Sequence, residues 1–498
     1  MHSLLPKISK KDVLAFAAGL LTVGMVIAGC TSSVTSTSNT SNLIPNTNTS
    51  TTPTRITDAP SDQILAASLT LNSLILTDSM GRVTTNLLPA AGITFEATHL
   101  DAVQEPLFSP AIPEDTNAYV SATLTYSNAQ VAYIDSTTHT VDLVTATLAN
   151  TSQTITFTAP ITISDTTTSL LLDFLVGKTG VITISGSTVT VTPQFNVAAV
   201  PIPSAVVTTH KGKVTAISAS TNSFTLIDPS GTVQTIYVNA NTTFADANTS
   251  LSCKGTACLT TFPSMKVNAL VEVDTILAPT SSTTPPPGSL LATRVEIDDA
   301  GTTTPKLLLG PVTSRTPTAT GTPATSFNIL LRQLVGNSSA TAVETVDVSV
   351  TGSTNFILPP RYAIFATALP FTPSFTASTI FAGQHVGVVT TSTGVTSGAA
   401  TAATVLLQPQ TINGTITNIT TTGSYTVYTV TLPAGHWLAT LTGQTTVLVY
   451  TNSQVVPLTT TTPAVSATMR FNGYLFNVSN QLRLLACAQA GPPGTPII

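Results

Sequence analysis

The chain has 498 residues, enough for about three or four domains on size alone. Charged residues are 8% of it, against about 25% in ordinary soluble proteins, while hydrophobic residues stand at 42%, so low charge here does not signal disorder. The formal net charge is −5 with no basic patch, which argues against nucleic acid as a partner. Thr, Ser and Asn take the place of the missing charge. Threonine is β-branched and favours strands while keeping a hydroxyl for water, so the composition predicts an exported all-β protein with a threonine-coated surface.

Lys7, Lys10 and Lys11 precede an apolar run from Val13 to Ile27, a stretch too short for a transmembrane helix of roughly 20 residues. The run ends in Ile27-Ala28-Gly29-Cys30, which resembles the lipobox of bacterial lipoproteins. That resemblance implies cleavage of residues 1–29, a diacylglycerol on the Cys30 sulfur and further acylation of the new amine. Stable anchoring takes more than one chain. Thr31 rather than aspartate follows the cysteine, which by resemblance to proteobacterial sorting implies the outer membrane, on its periplasmic or surface face. Residues 30–53 are nearly all Thr, Ser and Asn and lack the apolar surface to offset ordering entropy. They read as a disordered tether that would hold the first domain about 25–30 Å from the membrane.

Of the other cysteines, Cys253 and Cys258 stand in Cys-Lys-Gly-Thr-Ala-Cys, a spacing that can close a small disulfide loop in an oxidising envelope. A zinc pair would need two further ligands and none is near in sequence, so the disulfide is favoured; no metal and no cofactor is expected. Cys487 reads as a buried small hydrophobe.

The first globular region spans residues 54–199. Leu69-Thr70-Leu71, Leu74-Ile75-Leu76, Tyr119–Tyr126, Gln130–Ile134, Thr140–Leu148, Thr154–Phe157, Leu170–Phe174 and Thr188–Thr192 read as short strands between polar turns, which predicts an antiparallel sandwich, with a helix conceivable near Thr98–Gln104. Thr57-Asp58-Ala59-Pro60, Ile75-Leu76 with Gly81, Leu171-Leu172-Asp173-Phe174 and Pro193 together resemble the bacterial domain-of-unknown-function family 4382, which implies an exported β-sandwich-like module with no established activity. Where the family more often has glycine before the tyrosine, this chain has Ala118-Tyr119. Asp58 with Asp62 reads as turn chemistry. Asp101 and Glu105, near His99, would share a helix face without a third ligand, so both groups read as structural.

Beyond Pro201-Ile202-Pro203 the sequence repeats loosely with a period of roughly 100 residues. Three modules are predicted, at 205–300, 304–409 and 410–490. They open with Gly212-Lys213-Val214-Thr215, Gly310-Pro311-Val312-Thr313 and Gly414-Thr415-Ile416-Thr417. A glycine there marks a bulge or bend where a small barrel turns its corner. Phe224-Thr225-Leu226, Ile236-Tyr237-Val238, Thr243-Phe244 and Ala292-Thr293-Arg294-Val295 follow in the first module. The pattern resembles the domain-of-unknown-function family 5666, well in the first module, moderately in the second and weakly in the third, where the Thr-x-Phe element shrinks to Thr451. The resemblance implies small closed OB-like β-barrels in series, with no inference to oligonucleotide binding. Leu358–Pro373 inserts Tyr362, Ile364, Phe365, Leu369 and Phe371, read as core packing, with a lip for a partner as the sharper option.

No G-x-S-x-G, H-E-x-x-H, P-loop or EF-hand pattern occurs. His2, His99, His139, His210, His385 and His436 are scattered, and Asp298-Asp299 read as solvated beside a turn. Trp437, Tyr425 and Tyr428 are the candidate residues for stacking on a sugar, although most aromatics should be core. The sequence therefore points to a lipid-anchored envelope protein, not an enzyme, that binds or scaffolds an envelope polysaccharide or protein. The alternative is an envelope hydrolase or carbohydrate-active enzyme whose residues converge only in space.

Overall fold

Each of the three modules begins with the same local device. Gly212, Gly310 and Gly414 lie where a Cβ would sit 2.9 Å from the Ile227 carbonyl oxygen, 1.8 Å from that of Leu330 and 2.4 Å from that of Thr431, so the opening strand can approach its hairpin partner only without a side chain. Three residues later the register shifts, at Thr215, Thr313 and Thr417. Each bulged threonine donates its hydroxyl to a partner-strand carbonyl, of Thr225 at 3.3 Å, Asn328 at 3.3 Å and Thr429 at 3.2 Å. The Gly-x-[Val/Ile]-Thr signature is thus a glycine for close approach and a threonine to satisfy the carbonyl that the bulge frees.

The computed structural model describes residues 43–492 except 45–47, 59–62, 101–104, 136, 164–167, 202–207, 280–281, 283, 302–304, 320, 337–342, 397 and 460. Among these the protein is almost entirely β, with three short α-helices. The predicted signal peptide, Cys30, Asp62 and Asp101 lie outside the described residues. No helix of the described residues is long and apolar enough to cross a membrane.

The first module is a closed five-stranded barrel of Thr208–Ser218, Ser223–Ile227, Val233–Tyr237, Leu270–Leu277 and Leu290–Asp299. The second uses Leu307–Thr316, Ser326–Leu331, Glu344–Ser349, His385–Thr396 and Ala399–Leu407, and the third Gln410–Thr422, Tyr425–Thr431, Thr446–Thr451, Thr468–Val478 and Gln481–Ala490. In all three the third strand pairs in parallel with the last, through Ile236↔Leu290, Asp347↔Ala399 and Val447↔Leu482. That closure removes the sheet edges. A short accessory strand also pairs in parallel with the last strand each time: Thr243–Asp246, Asn355–Ile357 and Val456–Pro457. The third module's accessory element is therefore Val456–Pro457, not Thr451, which ends a barrel strand.

The N-terminal domain places the five-stranded sheet built on Ile64–Asp78 and Tyr119–Ile134 against a four-stranded sheet of Thr54–Asp58, Glu105–Phe108, Thr168–Phe174 and Phe195–Pro201. Leu69, Leu71, Leu74 and Leu124 from one sheet and Ile56, Leu172 and Phe195 from the other share one core. Strands predicted as separate pieces are continuous here, because several register shifts bend a single long pair. Thr54–Asp58 runs parallel to Leu170–Phe174, so the second sheet is mixed and not purely antiparallel. The ordered fold also starts before residue 54: Thr49–Thr51 pairs with Ala111–Pro113 and Ser50 and Thr52 are buried, which shortens the tether predicted over 30–53. Near Thr98 a 3-10 turn, Thr98–Leu100, stands where a helix was conceivable.

Serial in sequence, the modules form one compact unit, Leu43–Ile498. The insert after Leu358 lies between barrels: Tyr362 packs edge-on against Tyr474 and Phe476, and Phe371 contacts Tyr450 and Phe476. Tyr425 donates its hydroxyl to the carbonyls of Phe365 at 2.6 Å and Thr367 at 2.9 Å. The insert thus serves as packing, within a hydrophobic cluster that the second and third barrels share. Leu65, Ala66 and Ala132 of the N-terminal domain pack into the third barrel's core in the same way.

Candidate functional site

Two polar junctions lie inside this unit. The first starts from Glu96 at the end of strand Ile93–Glu96. Glu96 Oε1 accepts from the Ala67 and Thr98 amides at 2.9 and 3.0 Å and from the Thr98 hydroxyl at 2.6 Å. Its Oε2 receives the His99 amide and ring Nδ1 at 3.1 and 3.0 Å. The other ring nitrogen lies 3.0 Å from Glu105 Oε2. Burial alone would lower the His99 pKa, but Glu105 and Glu96 together raise it to about 9, so both ring nitrogens carry protons. Burial would raise the Glu96 carboxyl, yet the hydrogen bond from His99 and the charge of Arg332 hold it at about 2.

His99 and Arg332 border a polar cavity of about 50 Å³ together with His385, Asn413, His436 and Trp437. The N-terminal domain, the second barrel and the third barrel all contribute to it. His436 caps the helix Trp437–Thr442, its Nδ1 accepting from the Leu438 amide at 3.1 Å, so Nε2 carries the proton and donates to Asn413 Oδ1 at 3.1 Å. His385 Nδ1 donates to the Pro409 carbonyl at 3.1 Å. That leaves Nε2 as a lone pair, and it is buried with no partner in the protein. Burial pushes His385 down to about 3, helped by Arg332, and burial alone pushes His436 to about 3. The cavity therefore holds one charged and two neutral imidazoles. Three of the six scattered histidines meet here, and no spacing in the sequence could have signalled it.

The second junction is ionic. Lys211 pairs with Glu272 and donates to Gln408 Oε1 at 2.7 Å, Arg294 pairs with Glu296, and Arg361 reaches Asp274 at 3.1 Å and Glu272 at 3.5 Å. The Arg361 amide donates to Glu296 at 3.3 Å. Asp298 is buried beside them and held protonated, since burial and the neighbouring Glu296 and Glu272 outweigh Lys211. This corrects the solvated reading of Asp298; the barrel's last strand turns it inward. Arg361 comes from the second barrel's insert and the acids from the first barrel, so the cluster joins the two.

Among the remaining sequence candidates, Cys253 and Cys258 are joined by a disulfide. Cys487 is a buried free thiol that burial raises to about 12. Trp437 lines the cavity and stacks on His436. Tyr425 and Tyr428 are buried in two different clusters, Tyr428 stacked on Phe471, so the three rings present no common exposed platform. Among the described residues no group of His, Cys, Asp and Glu could hold a metal ion.

No curated protein matches the chain. Among solved structures it is similar to the wild-type single-stranded DNA binding protein from Thermus aquaticus, at 14% identity and a TM-score of 0.14, over 39% of this chain and 94% of that one. A deletion mutant of the same Thermus aquaticus protein gives 14% identity and a TM-score of 0.14, over 39% and 95%. Likeness at that TM-score carries no argument for this chain. The first barrel does carry a family assignment: residues 211–296 match a domain of unknown function, DUF5666.

Proposed function

We propose that this protein is a lipid-anchored component of the bacterial cell envelope, in the outer membrane, which binds or scaffolds an envelope polysaccharide or protein without catalysing a reaction. The observation that carries the binding role is the polar cavity to which three domains contribute side chains. Apolar clusters shared by the second and third barrels and by the N-terminal domain and the third barrel hold the surrounding domains in place, so such a site is preorganised and loses little freedom on binding. The anchor rests on Ile27-Ala28-Gly29-Cys30 and the basic residues before it. The likeness of residues 54–199 to family 4382 gains support from two of its four quoted motifs lying side by side, with Thr57 paired to Asp173 and Asp58 to Phe174.

Cross-linking in native membranes, with identification of what is captured, tests the binding role, and a glycan array tests the polysaccharide option. Clean negatives from both would overturn it. Replacing Cys30 with serine should release the protein or leave its leader uncleaved, whereas membrane retention at the mature mass would refute the anchor.

A further inference from the structure

The first barrel carries an outer face that only a neighbouring module can bury. Val271, Val273, Val295 and Ile297 fill the barrel's own core, so the alternate residues Leu270, Glu272, Asp274, Arg294 and Glu296 point away from it. Leu270 is nevertheless fully buried, packed with Leu307, Leu309 and Leu406 of the second barrel. Glu272, Asp274 and Glu296 are buried as well, and so is Asp298, which stands among Lys211, Glu296 and Glu272. Four carboxyls thus share one junction with three cations, Lys211, Arg294 and Arg361. Glu272 is met by Lys211 and Arg361, Asp274 by Arg361, and Glu296 by Arg294 and the Arg361 amide. Asp298 is left over: its Oδ2 is buried and has no hydrogen-bond partner among the described residues. A carboxyl in that state is far cheaper to bury neutral than charged, and a single proton on it brings the junction to charge balance. Burial, with Glu296 and Glu272, outweighs Lys211 and Arg294 and raises the Asp298 carboxyl well above its ordinary 3.8. Burial and Glu272 raise Glu296 too, but donors reach its Oε2 and none reaches Asp298 Oδ2. Tyr474 and Cys487 of the third barrel bear on Arg361 and keep their protons, and His385 bears on Lys211 and stays neutral.

We infer that docking of the first barrel on the second is linked to a proton: the junction closes with Asp298 neutral and loosens when that proton is lost. Undocked, the outer face meets water and Asp298 is an ordinary aspartate, ionised above about 3.8. Between that value and the raised pKa of the buried carboxyl, closure takes up a proton, so acid favours the docked barrel and rising pH releases it. The inference goes beyond the binding role proposed above and holds whatever the protein binds.

Leu270 and Val273 lie on one strand, the first packed against the second barrel and the second inside its own barrel, so together they separate undocking from unfolding. Hydroxyl-radical footprinting of purified full-length protein along a urea series should label Leu270 before Val273. Between about pH 5 and pH 7 the equilibrium constant for that first opening should rise more steeply in the wild type than in Asp298→Asn, by about tenfold per pH unit, the slope of one proton. Equal slopes in the two proteins would overturn the inference, and so would Leu270 and Val273 becoming labelled together. If Asp298→Asn does not fold, infrared spectra of the unaltered protein carrying isotope-labelled aspartate decide. A protonated aspartate C=O band should be present at about pH 7 in buffer and vanish at the urea concentration that exposes Leu270. Its absence in buffer would show the junction fully ionised and overturn the inference.

Discussion

Arg361 Nη1 lies 3.1 Å from Asp274 Oδ1, so a side chain from the second barrel's insert is bound inside the acidic face of the first barrel. The same guanidinium reaches Glu272, and its environment includes Tyr474 and Cys487 of the third barrel. Three modules that the sequence lays out one after another thus meet around one cation. Removing a partner from a buried ion pair leaves uncompensated charge.

Arg361→Met should therefore destabilise the protein by about 3–5 kcal/mol, although it conserves much of the side chain's volume. Denaturant unfolding measures the loss, and limited proteolysis should show the first barrel released before the rest. A change below about 1 kcal/mol, the range of an exposed pair, would show that the pair is solvated.

The histidines set opposite limbs of the pH–stability profile. His99 keeps its proton to about 9 in the folded protein against 6.5 for the free side chain. Its contribution is complete below about pH 6.5 and is lost as pH rises through 9. His385 and His436 stay neutral down to about 3, so the unfolded chain takes up protons that the folded one refuses once pH drops below 6.5. Stability then falls toward acid by about 1.4 kcal/mol per pH unit for each ring. Thermal melts across pH should show the alkaline limb flattened in His99→Asn and the acid limb flattened in His436→Asn, where asparagine can still cap the helix. Curves parallel to that of the wild type would contradict the assignment.

Glycines separate by geometry. Gly310→Ala would put a Cβ 1.8 Å from the Leu330 carbonyl oxygen, a backbone atom with little room to move, and should cost about 2–3 kcal/mol. Gly352 has nothing within 4 Å of its Cβ position and no positive φ, so Gly352→Ala should be neutral or stabilising by about 0.4–1 kcal/mol through the unfolded state. Paired thermal melts of the two variants test the contrast.

Much of the architecture was legible because local chemistry enforces it. Alternating apolar residues, the Gly-x-[Val/Ile]-Thr openings and the spacing of Cys253 and Cys258 act within a hairpin or a short loop, so strands, barrel corners and the disulfide loop could be read directly from the residues. Thr451 was misread because the accessory strand Val456–Pro457 pairs through its backbone with the distant strand Gln481–Ala490, and backbone pairing asks little of side-chain identity. Asp298 was misread for a related reason. A carboxylate beside a turn looks solvated until the fold buries it, near charged groups such as Lys211 and Glu272 that other strands supply.

The sequence by itself determined the all-β class, the three-module repeat and the shortage of charge, each of them a matter of composition or of residues close together in the chain. Only the tertiary structure decided that the modules form one body, that Arg361 bridges them, and that His99, His385 and His436 share a cavity. Those relationships join residues up to 337 positions apart. They depend on burial, which turns scattered polar side chains into obligate partners and leaves no periodic trace along the chain.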